Sequence, residues 1–244
     1  MNLFFPDPHN RGGYTRPSEL WLTGGFAALM AFLATIPISG CSSTGPMPQP
    51  VSRQTITFDA SDVGKLPADF STALTGGGAP VSWVVRADPQ PPDGKPVLVQ
   101  ESADDTSYRF PMCIYEGATA RDVAVEVKWK AISGKVDQAG GIVLRYSPEN
   151  YYIARANALE DNVNLFKTVH GKRSKVEEVP VKVTAGEWHT LRFEAKGPRL
   201  QVMFDGKTVI KARDHTFSRP GKIGLWTKAD SVSAFSGLKI EPPE

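Results

Sequence analysis

The sequence predicts an all-β fold in which two antiparallel sheets pack as a sandwich. The first observation is alternation: in DVAVEVKWKA, Val123, Val125, Val127 and Trp129 fall on one face of an extended strand, and charged residues fall on the other. The second is composition, since 22 Gly and 20 Pro in 244 residues favour a chain rich in turns. When each short strand has one apolar face, these faces are buried by packing two sheets together.

The individual strands follow from the same pattern. EWHTLRFEA also alternates, and RLQVMFDGKTVIKA contains Asp205-Gly206, a pair favoured in two-residue hairpin turns. Further strands are predicted at residues 54–58, 82–87, 96–100, 141–146, 151–157, 162–169, 222–226 and 232–240. We predict loops at 59–80 and 88–95, a solvated hairpin end at 170–178, and no helix longer than two turns.

The N-terminal segment is expected to lie outside this domain. Residues 20–38 are uncharged and follow Arg11 and Arg16, as in a signal peptide, and the next residues, ISGC, resemble the lipobox of bacterial lipoproteins. We therefore expect a lipoprotein signal peptide at 1–40, lipidation of Cys41, a flexible linker at 41–54 and the sandwich at 55–244. The protein is then extracytoplasmic, lipid-anchored to the cell membrane or the outer membrane; an uncleaved membrane anchor is the alternative.

Charge and cysteine content exclude several functions. The 28 basic and 26 acidic residues leave a net charge of +2, so we expect no nucleic-acid partner. Once Cys41 is lipidated, Cys113 has no partner within the chain, and its apolar surroundings favour a buried side chain over a nucleophile. No zinc motif, phosphate-binding loop or dinucleotide-binding motif occurs, so no cofactor or metal is predicted, although ALEDN resembles a weak calcium loop.

Strand alternation also predicts a binding surface. It places polar and aromatic side chains from neighbouring strands on the outward face of one sheet: Arg145, Tyr151, Arg155, Asn157, Asn164, Trp226 and Lys228. Planar donors, amides and rings suit the hydroxyls and C–H faces of a carbohydrate, which is the expected partner. The alternatives are a solvated sheet face with internal ion pairs, core packing for Trp226 and a solvated rim for Lys228.

Several longer motifs resemble a known family. QAGGIVLRYSPENYYIARANALEDNVNLFKTVHGKR, EWHTLRFEAKG, VMFDGK and GKIGLWTKADSVSAFSGLKI together resemble the 3-keto-disaccharide hydrolase domain family over residues 57–240. The resemblance implies a concanavalin A-like or laminin G-like jelly roll that binds carbohydrate. It also implies hydrolysis of 3-keto-disaccharides or related glycosides, with a non-catalytic glycan- or protein-binding module as the alternative.

The catalytic residues are not identified by a motif. Glucanases that share this sandwich place alternating carboxylates on one strand, and no such run occurs here, so ordinary retaining glycosidase chemistry is not expected. A ketone at C3 would instead allow elimination, with Arg145, Arg155 or Lys228 stabilising the enolate. Asp230 and His189 are conceivable bases, although the strand pattern favours a buried, hydrogen-bonded His189.

Overall fold

The computed structural model describes residues 51–244, which form the predicted sandwich of two antiparallel sheets. The larger sheet has eight strands in the order β13-β12-β11-β6-β15-β4-β3, with β1 also paired to β15. Its strands are β1 (Gln54–Ile56), β3 (Trp83–Arg86), β4 (Val97–Gln100), β6 (Val123–Ser133), β11 (His189–Lys196), β12 (Arg199–Phe204), β13 (Lys207–Arg213) and β15 (Val232–Glu241).

The second sheet has seven strands in the order β10-β9-β8-β7-β14-β5-β2. They are β2 (Phe70–Gly76), β5 (Arg109–Ala120), β7 (Ala139–Ser147), β8 (Asn150–Asn157), β9 (Asn162–Val169), β10 (Lys172–Pro180) and β14 (Gly221–Thr227). One short 3-10 helix, Ala60–Asp62, completes the regular structure of the described residues.

The main hydrophobic core lies between the two sheets. Trp129, Phe193 and Phe235 enter it from the eight-stranded sheet, and Tyr152 and Leu225 enter it from the seven-stranded sheet. All five are fully buried, as expected for large apolar side chains on the inner faces of a sandwich. The alternation read from the sequence therefore identifies the core side of these strands.

The predicted strands are confirmed, but three strands were missed. Asp205 and Gly206 form the expected turn between β12 and β13, both with positive φ. The missed strands are β2, which lies within the segment predicted as a loop, β5, and β10, which was predicted as a solvated hairpin end. Strand β10 is an edge strand rich in charge, so its sequence carries little of the apolar alternation that marks a strand.

The seven-stranded sheet is strongly curved. The guanidinium carbon of Arg173, on β10, lies 4.4 Å from the ring centre of Phe166 on β9 and 4.5 Å from that of Phe110 on β5. Since β9 and β5 are four strands apart, they would be separated by about 19 Å in a flat sheet. The shared contact requires the sheet to curl, and its hollow side is the one facing away from the main core.

The predictions for residues 1–50, including the signal peptide and lipidated Cys41, lie outside the described residues. Residues 51–244 contain no helix that could serve as a transmembrane span. Cys113 is fully buried in the main core, and this burial raises the pKa of its thiol well above the ordinary value. The buried interpretation of Cys113 is therefore confirmed.

Candidate functional site

The hollow side of the seven-stranded sheet, called here the concave face, carries its own apolar cluster. The cluster is separate from the main core and comprises Phe110, Met112, Ile114, Ala139, Val143, Tyr151, Ile153, Phe166 and Trp226. These residues alternate along β5, β7, β8, β9 and β14 with residues of the main core. The sheet thus has two apolar faces, which explains why its strands contain more hydrophobic residues than a half-solvated sheet needs.

A row of directly opposed residues crosses the middle of the concave face. Glu178 on β10 is opposite Asn164 on β9, which is opposite Arg155 on β8. Arg155 is in turn opposite Gly141 on β7, and Gly141 is opposite Trp226 on β14. Gly141 has no side chain, and a Cβ at this position would lie only 3.1 Å from the Cβ of Arg155, so β8 packs closely against it. Strand parity therefore brings three of the predicted site residues together.

Arg155 lies in this row with its guanidinium only partly hydrogen-bonded. Its Nη2 donates to Glu160 Oε2 at 2.6 Å, and its Nη1 lies 3.8 Å from Asp137 Oδ1. Nε and Nη1 have no hydrogen-bond partner although the residue is only 3% exposed. Its guanidinium carbon also lies 5.5 Å from the ring centre of Phe166. The guanidinium therefore has donors left over for a further acceptor.

Asp137 organises the polar end of the face and was missed in the sequence. It lies in the loop between β6 and β7, is 1% exposed, and accepts hydrogen bonds from Asn157 Nδ2 at 2.9 Å and from Lys228 Nζ. Asn157 Oδ1 accepts from the backbone N–H of Leu159, so both ends of this amide fix the local structure. No sequence signal marks Asp137, because a single loop aspartate has no periodicity.

Most of the buried side-chain polar atoms that lack a hydrogen-bond partner lie on the concave face. They are Tyr151 OH, Arg155 Nε and Nη1, Asn162 Oδ1, Asn164 Oδ1, Thr168 Oγ1, Arg173 Nη1 and Trp226 Nε1. Buried polar groups are normally paired, because an unpaired donor or acceptor costs about 1–3 kcal/mol. A set of both donors and acceptors on one face is what a ligand with hydroxyl groups would satisfy.

Arg173 and Tyr108 lie at one end of the concave face. The Arg173 guanidinium contacts the rings of Phe110 and Phe166, and its carbon is 5.7 Å from the ring centre of Trp226. Tyr108 OH donates to Gly171 O at 2.8 Å and accepts from the Arg173 backbone N–H at 2.9 Å. This link joins the start of β10 to the loop before β5. Arg173 was missed because its strand was not recognised.

Burial and neighbouring charge affect ionisation on this face. Burial and the nearby Arg155 lower the pKa of Arg173, and burial raises the pKa of Tyr151. Partial burial opposes ionisation of Glu160, but the hydrogen bond and charge of Arg155 outweigh it and lower the pKa of that carboxyl. Glu160 is therefore an ionised group at the exposed edge of the site.

Arg145 does not belong to the concave face, so its predicted position is wrong. Arg145 has φ 53°, and the pairing of β7 with β8 shifts between Leu144 and Ser147. Such a bulge resets the alternation, so that the side chain points towards the side of Tyr152 in the main core. There it donates to the carbonyl oxygens of Arg121, Phe217 and Gly197 at 2.8, 2.6 and 2.7 Å.

The other predicted residues lie on the predicted face, but they are not solvated. Tyr151, Arg155, Asn157, Asn164 and Trp226 are each at most 3% exposed, and only Lys228 is partly exposed. The interpretation as a solvated sheet face is therefore wrong for the buried five. Trp226 stacks on Phe110 with ring centres 5.4 Å apart, in the second cluster and not in the main core.

The two conceivable bases are held by structural contacts. Asp230 accepts hydrogen bonds from the backbone N–H groups of Lys135, Val136 and Asp137. His189, on the eight-stranded sheet, contacts Asp205 Oδ2 at 2.8 Å and the Thr184 backbone, which agrees with a satisfied buried histidine. Neither belongs to the concave row. In the described chain, no group of three His, Cys, Asp or Glu residues is placed to hold a metal ion.

In the ALEDN turn, Glu160 and Asp161 accept hydrogen bonds from neighbouring residues. Glu160 pairs with Arg155, and Asp161 accepts hydrogen bonds from Lys182 Nζ at 2.8 Å and from the Val183 backbone N–H at 3.0 Å. The two carboxylates therefore contact different parts of the molecule.

Comparison with known proteins places this geometry in a family. The model of the 3-keto-alpha-glucoside-1,2-lyase-like domain matches residues 79–241, which include every strand from β3 to β15. The chain belongs to this family. The resemblance seen in the sequence motifs is thereby confirmed.

Individual relatives agree with the fold. A levanase of Bacillus subtilis (strain 168) is 30% identical over 132 residues, which are 52% of this chain and 19% of the levanase; the chain thus matches about a fifth of that protein. The carbohydrate-binding module CBM66 from Bacillus subtilis has a TM-score of 0.58 at 24% identity, covering 71% of this chain and 95% of the module. Domain 4 of AbnA, an arabinanase of Geobacillus stearothermophilus solved with arabinotriose, has a TM-score of 0.51 at 12% identity, covering 80% and 94%.

Proposed function

We propose that this protein binds carbohydrate on the concave face of its seven-stranded sheet. The observation that carries the proposal is the set of unpartnered buried donors and acceptors of Arg155, Asn164, Tyr151 and Trp226, which lie on one curved face beside aromatic rings. A sugar presents both hydroxyl donors and acceptors and apolar C–H faces, so one ligand would satisfy both kinds of group.

Family membership and the fold support the same function. The names of the solved neighbours describe a carbohydrate-binding module and an arabinanase domain solved with arabinotriose. Both share the jelly-roll sandwich with this chain. The fold alone does not determine the ligand, so the argument for a glycan depends on the polar and aromatic groups of the concave face.

The binding test compares two arginines. The purified full-length chain is screened on an array of neutral and acidic oligosaccharides, and affinities for the bound glycans are measured by calorimetry. Arg155→Ala should weaken binding at least about tenfold, because it removes charge-assisted donors to the ligand. Arg86→Ala is the matched control, since Arg86 pairs with Glu101 at the surface of the other sheet. Binding of no glycan, or equal binding by both variants, would contradict the proposal.

A fluorescence measurement provides a second readout. Trp226 is the tryptophan of the concave face, and its Nε1 has no hydrogen-bond partner. Glycan binding should change the emission of the wild-type protein, and Trp226→Phe should lose most of this change. A full response in Trp226→Phe would place the ligand elsewhere.

A second candidate function is elimination from a 3-keto-glucoside, which the family description favours. A base would remove the proton at C2, the electron pair would form the C1–C2 double bond, and the aglycone would leave C1 with the bonding pair and take up a proton. We propose Glu160, which is half-exposed beside Arg155, as the base, and Arg155 as the group that stabilises the enolate. Release of the aglycone from a 3-keto-glucoside, lost in Glu160→Gln, tests this; no release by the wild type would reject it.

The location is a separate proposal. We propose that Cys41 is lipidated and tethers the sandwich outside the cytoplasm, because ISGC follows an uncharged segment that resembles a signal peptide. Labelled fatty acid should be incorporated into the wild-type chain and not into Cys41→Ser. Equal labelling of both would reject the tether.

A further inference from the structure

Arg173 is a cation without a partner on the concave face. Among the described residues, its guanidinium forms no ion pair, and its Nη1 has no hydrogen-bond partner. Its contacts are instead the rings of Phe110, Phe166 and Trp226. Rings stabilise a cation only modestly, and a partly buried charge without an anion is costly. An arginine in this position therefore lacks a counter-ion.

The neighbouring charges do not supply that counter-ion. Lys228 and Asn157 hold Asp137, and Glu160 pairs with Arg155. Lys175 and Glu178 also lie on this face of β10, opposite Phe166 and Asn164, and form an ion pair of 2.6 Å. In the described chain, four cations, namely Arg155, Arg173, Lys175 and Lys228, thus share the face with three carboxylates, which leaves one positive charge in excess.

The two arginines that have unpartnered nitrogens are neighbours on the concave face. Arg155 and Arg173 both lie against the same ring, with guanidinium carbons 5.5 and 4.4 Å from the centre of Phe166. The nearness of Arg155 also lowers the pKa of Arg173. Arg155 Nε, Arg155 Nη1 and Arg173 Nη1 are the free donors. Planar guanidinium donors match the two oxygens of a carboxylate better than they match single hydroxyl groups.

We infer that the concave face selects an acidic sugar, whose carboxylate is held by Arg155 and Arg173. The inference rests on the proposed glycan-binding function and specifies its ligand class, a uronic-acid residue. The carboxylate supplies the counter-ion that Arg173 lacks. The hydroxyl groups of the sugar are left for Asn164, Tyr151 and Trp226, whose polar atoms are also unpartnered.

The test uses matched sugars that differ only in oxidation at C6. Affinities of the full-length protein for digalacturonate and galactobiose, and for glucuronate and glucose, are measured by calorimetry at two salt concentrations. The acidic member of at least one pair should bind at least about tenfold more tightly, because charge-assisted hydrogen bonds replace neutral ones. Its affinity should fall as salt is added, and that of the neutral member should not.

Variants identify the residue responsible. Arg173→Met should abolish the preference for the acidic sugar, and Arg173→Lys should keep part of it, because lysine retains the charge but not the planar pair of donors. Arg86→Met is the control for removing a surface arginine and should keep the preference. Circular dichroism shows whether Arg173→Met folds. If it does not, the inference is tested by two other results: a reduced acidic preference in Arg173→Lys, and a wild-type affinity for the acidic sugar that falls with salt.

The outcomes separate this inference from the proposed function. If glycans on the array bind but neutral sugars bind as tightly as acidic ones, the inference is wrong and glycan binding stands. If the acidic preference survives in Arg173→Met, the carboxylate is not held by this residue and the inference is again wrong. If no glycan binds, the proposed function and the inference fail together.

Discussion

Arg145 and Arg155 lie on adjacent strands of the same sheet, and the structure uses them in opposite ways. Arg145 donates through Nε, Nη1 and Nη2 to three backbone carbonyl groups and lies near Asp122. Arg155 leaves Nε and Nη1 unpartnered. Both are 3% exposed. Burial of an arginine therefore says little about its role until its hydrogen bonds are counted: the satisfied guanidinium joins loops, and the unsatisfied one keeps unpaired donors.

The same contrast extends to other arginines. Arg109 is fully buried and donates to the carbonyl oxygens of Ala79, Pro80 and Ala229 and to the Ser102 hydroxyl, so it resembles Arg145. Arg173 resembles Arg155, since it has an unpartnered nitrogen. Arg109 and Arg145 hold loops to the rim of the sandwich, whereas Arg155 and Arg173 lie on the concave face. Arg192, on the eight-stranded sheet, also has an unpartnered Nη2, but its guanidinium forms an ion pair with Glu241.

The largest expected effect on stability comes from replacing Arg145, whose guanidinium is fully hydrogen-bonded. Arg145→Met should lower the free energy of unfolding by about 3 kcal/mol, because it leaves the carbonyl groups of Arg121, Phe217 and Gly197 without their donors. Urea unfolding followed by circular dichroism measures the change. Glycan affinity of the folded fraction should be unchanged. A loss below about 0.5 kcal/mol would mean that water replaces these donors and that Arg145 is not a structural link.

The matched substitution on the concave face should have a much smaller effect on stability. Arg173→Met removes a cation without a counter-ion and leaves an apolar side chain over Phe110 and Phe166. Lost cation–π attraction and relieved charge burial then oppose each other, so the free energy of unfolding should change by less than about 1 kcal/mol, in either direction. The same urea experiment measures this change. If Arg173→Met lowers the free energy of unfolding as much as Arg145→Met does, then Arg173 has a structural role and does not differ from Arg145.

The last effect concerns acid, at the end of the fold that contains Arg145. Burial alone would raise the pKa of Asp214, but hydrogen bonds from Lys167, Thr216 and Tyr152 outweigh it and hold that pKa well below 3.8. A carboxyl whose pKa is lowered by folding stabilises the protein above its unfolded pKa, and this stability is lost as pH falls towards the folded pKa. Asp214 should therefore contribute above about pH 4 and progressively less below it.

The measurement compares melting temperatures at pH 6, 4 and 2.5. At pH 6, Asp214→Asn should have a lower melting temperature than the wild type. Between pH 6 and pH 2.5, the melting temperature of Asp214→Asn should fall by less than that of the wild type. Asp105→Asn is the control, because Asp105 is exposed and forms no hydrogen bond within the described chain. If the melting temperatures of Asp214→Asn and the wild type fall equally on acidification, ionised Asp214 does not stabilise the fold.

The sequence by itself determined the sandwich and the faces of most of its strands. Alternation is a local property with a period of two, so it assigned Tyr151, Arg155 and Asn157 to one face of β8, and Asn164 to the same face of β9. It also placed Trp226 on the face opposite Leu225. These assignments needed no knowledge of which strands are neighbours.

Tertiary structure decided which of these residues share a site. The bulge in β7 turned Arg145 to the other side, and a bulge depends on how two strands pair, which alternation within one strand does not reveal. Sheet curvature brought Arg173 from the edge strand over Phe110, four strands from Phe166, and a loop brought Asp137 to Lys228. Curvature and loop paths are properties of the whole sheet, because they arise from twist and packing summed over many strands.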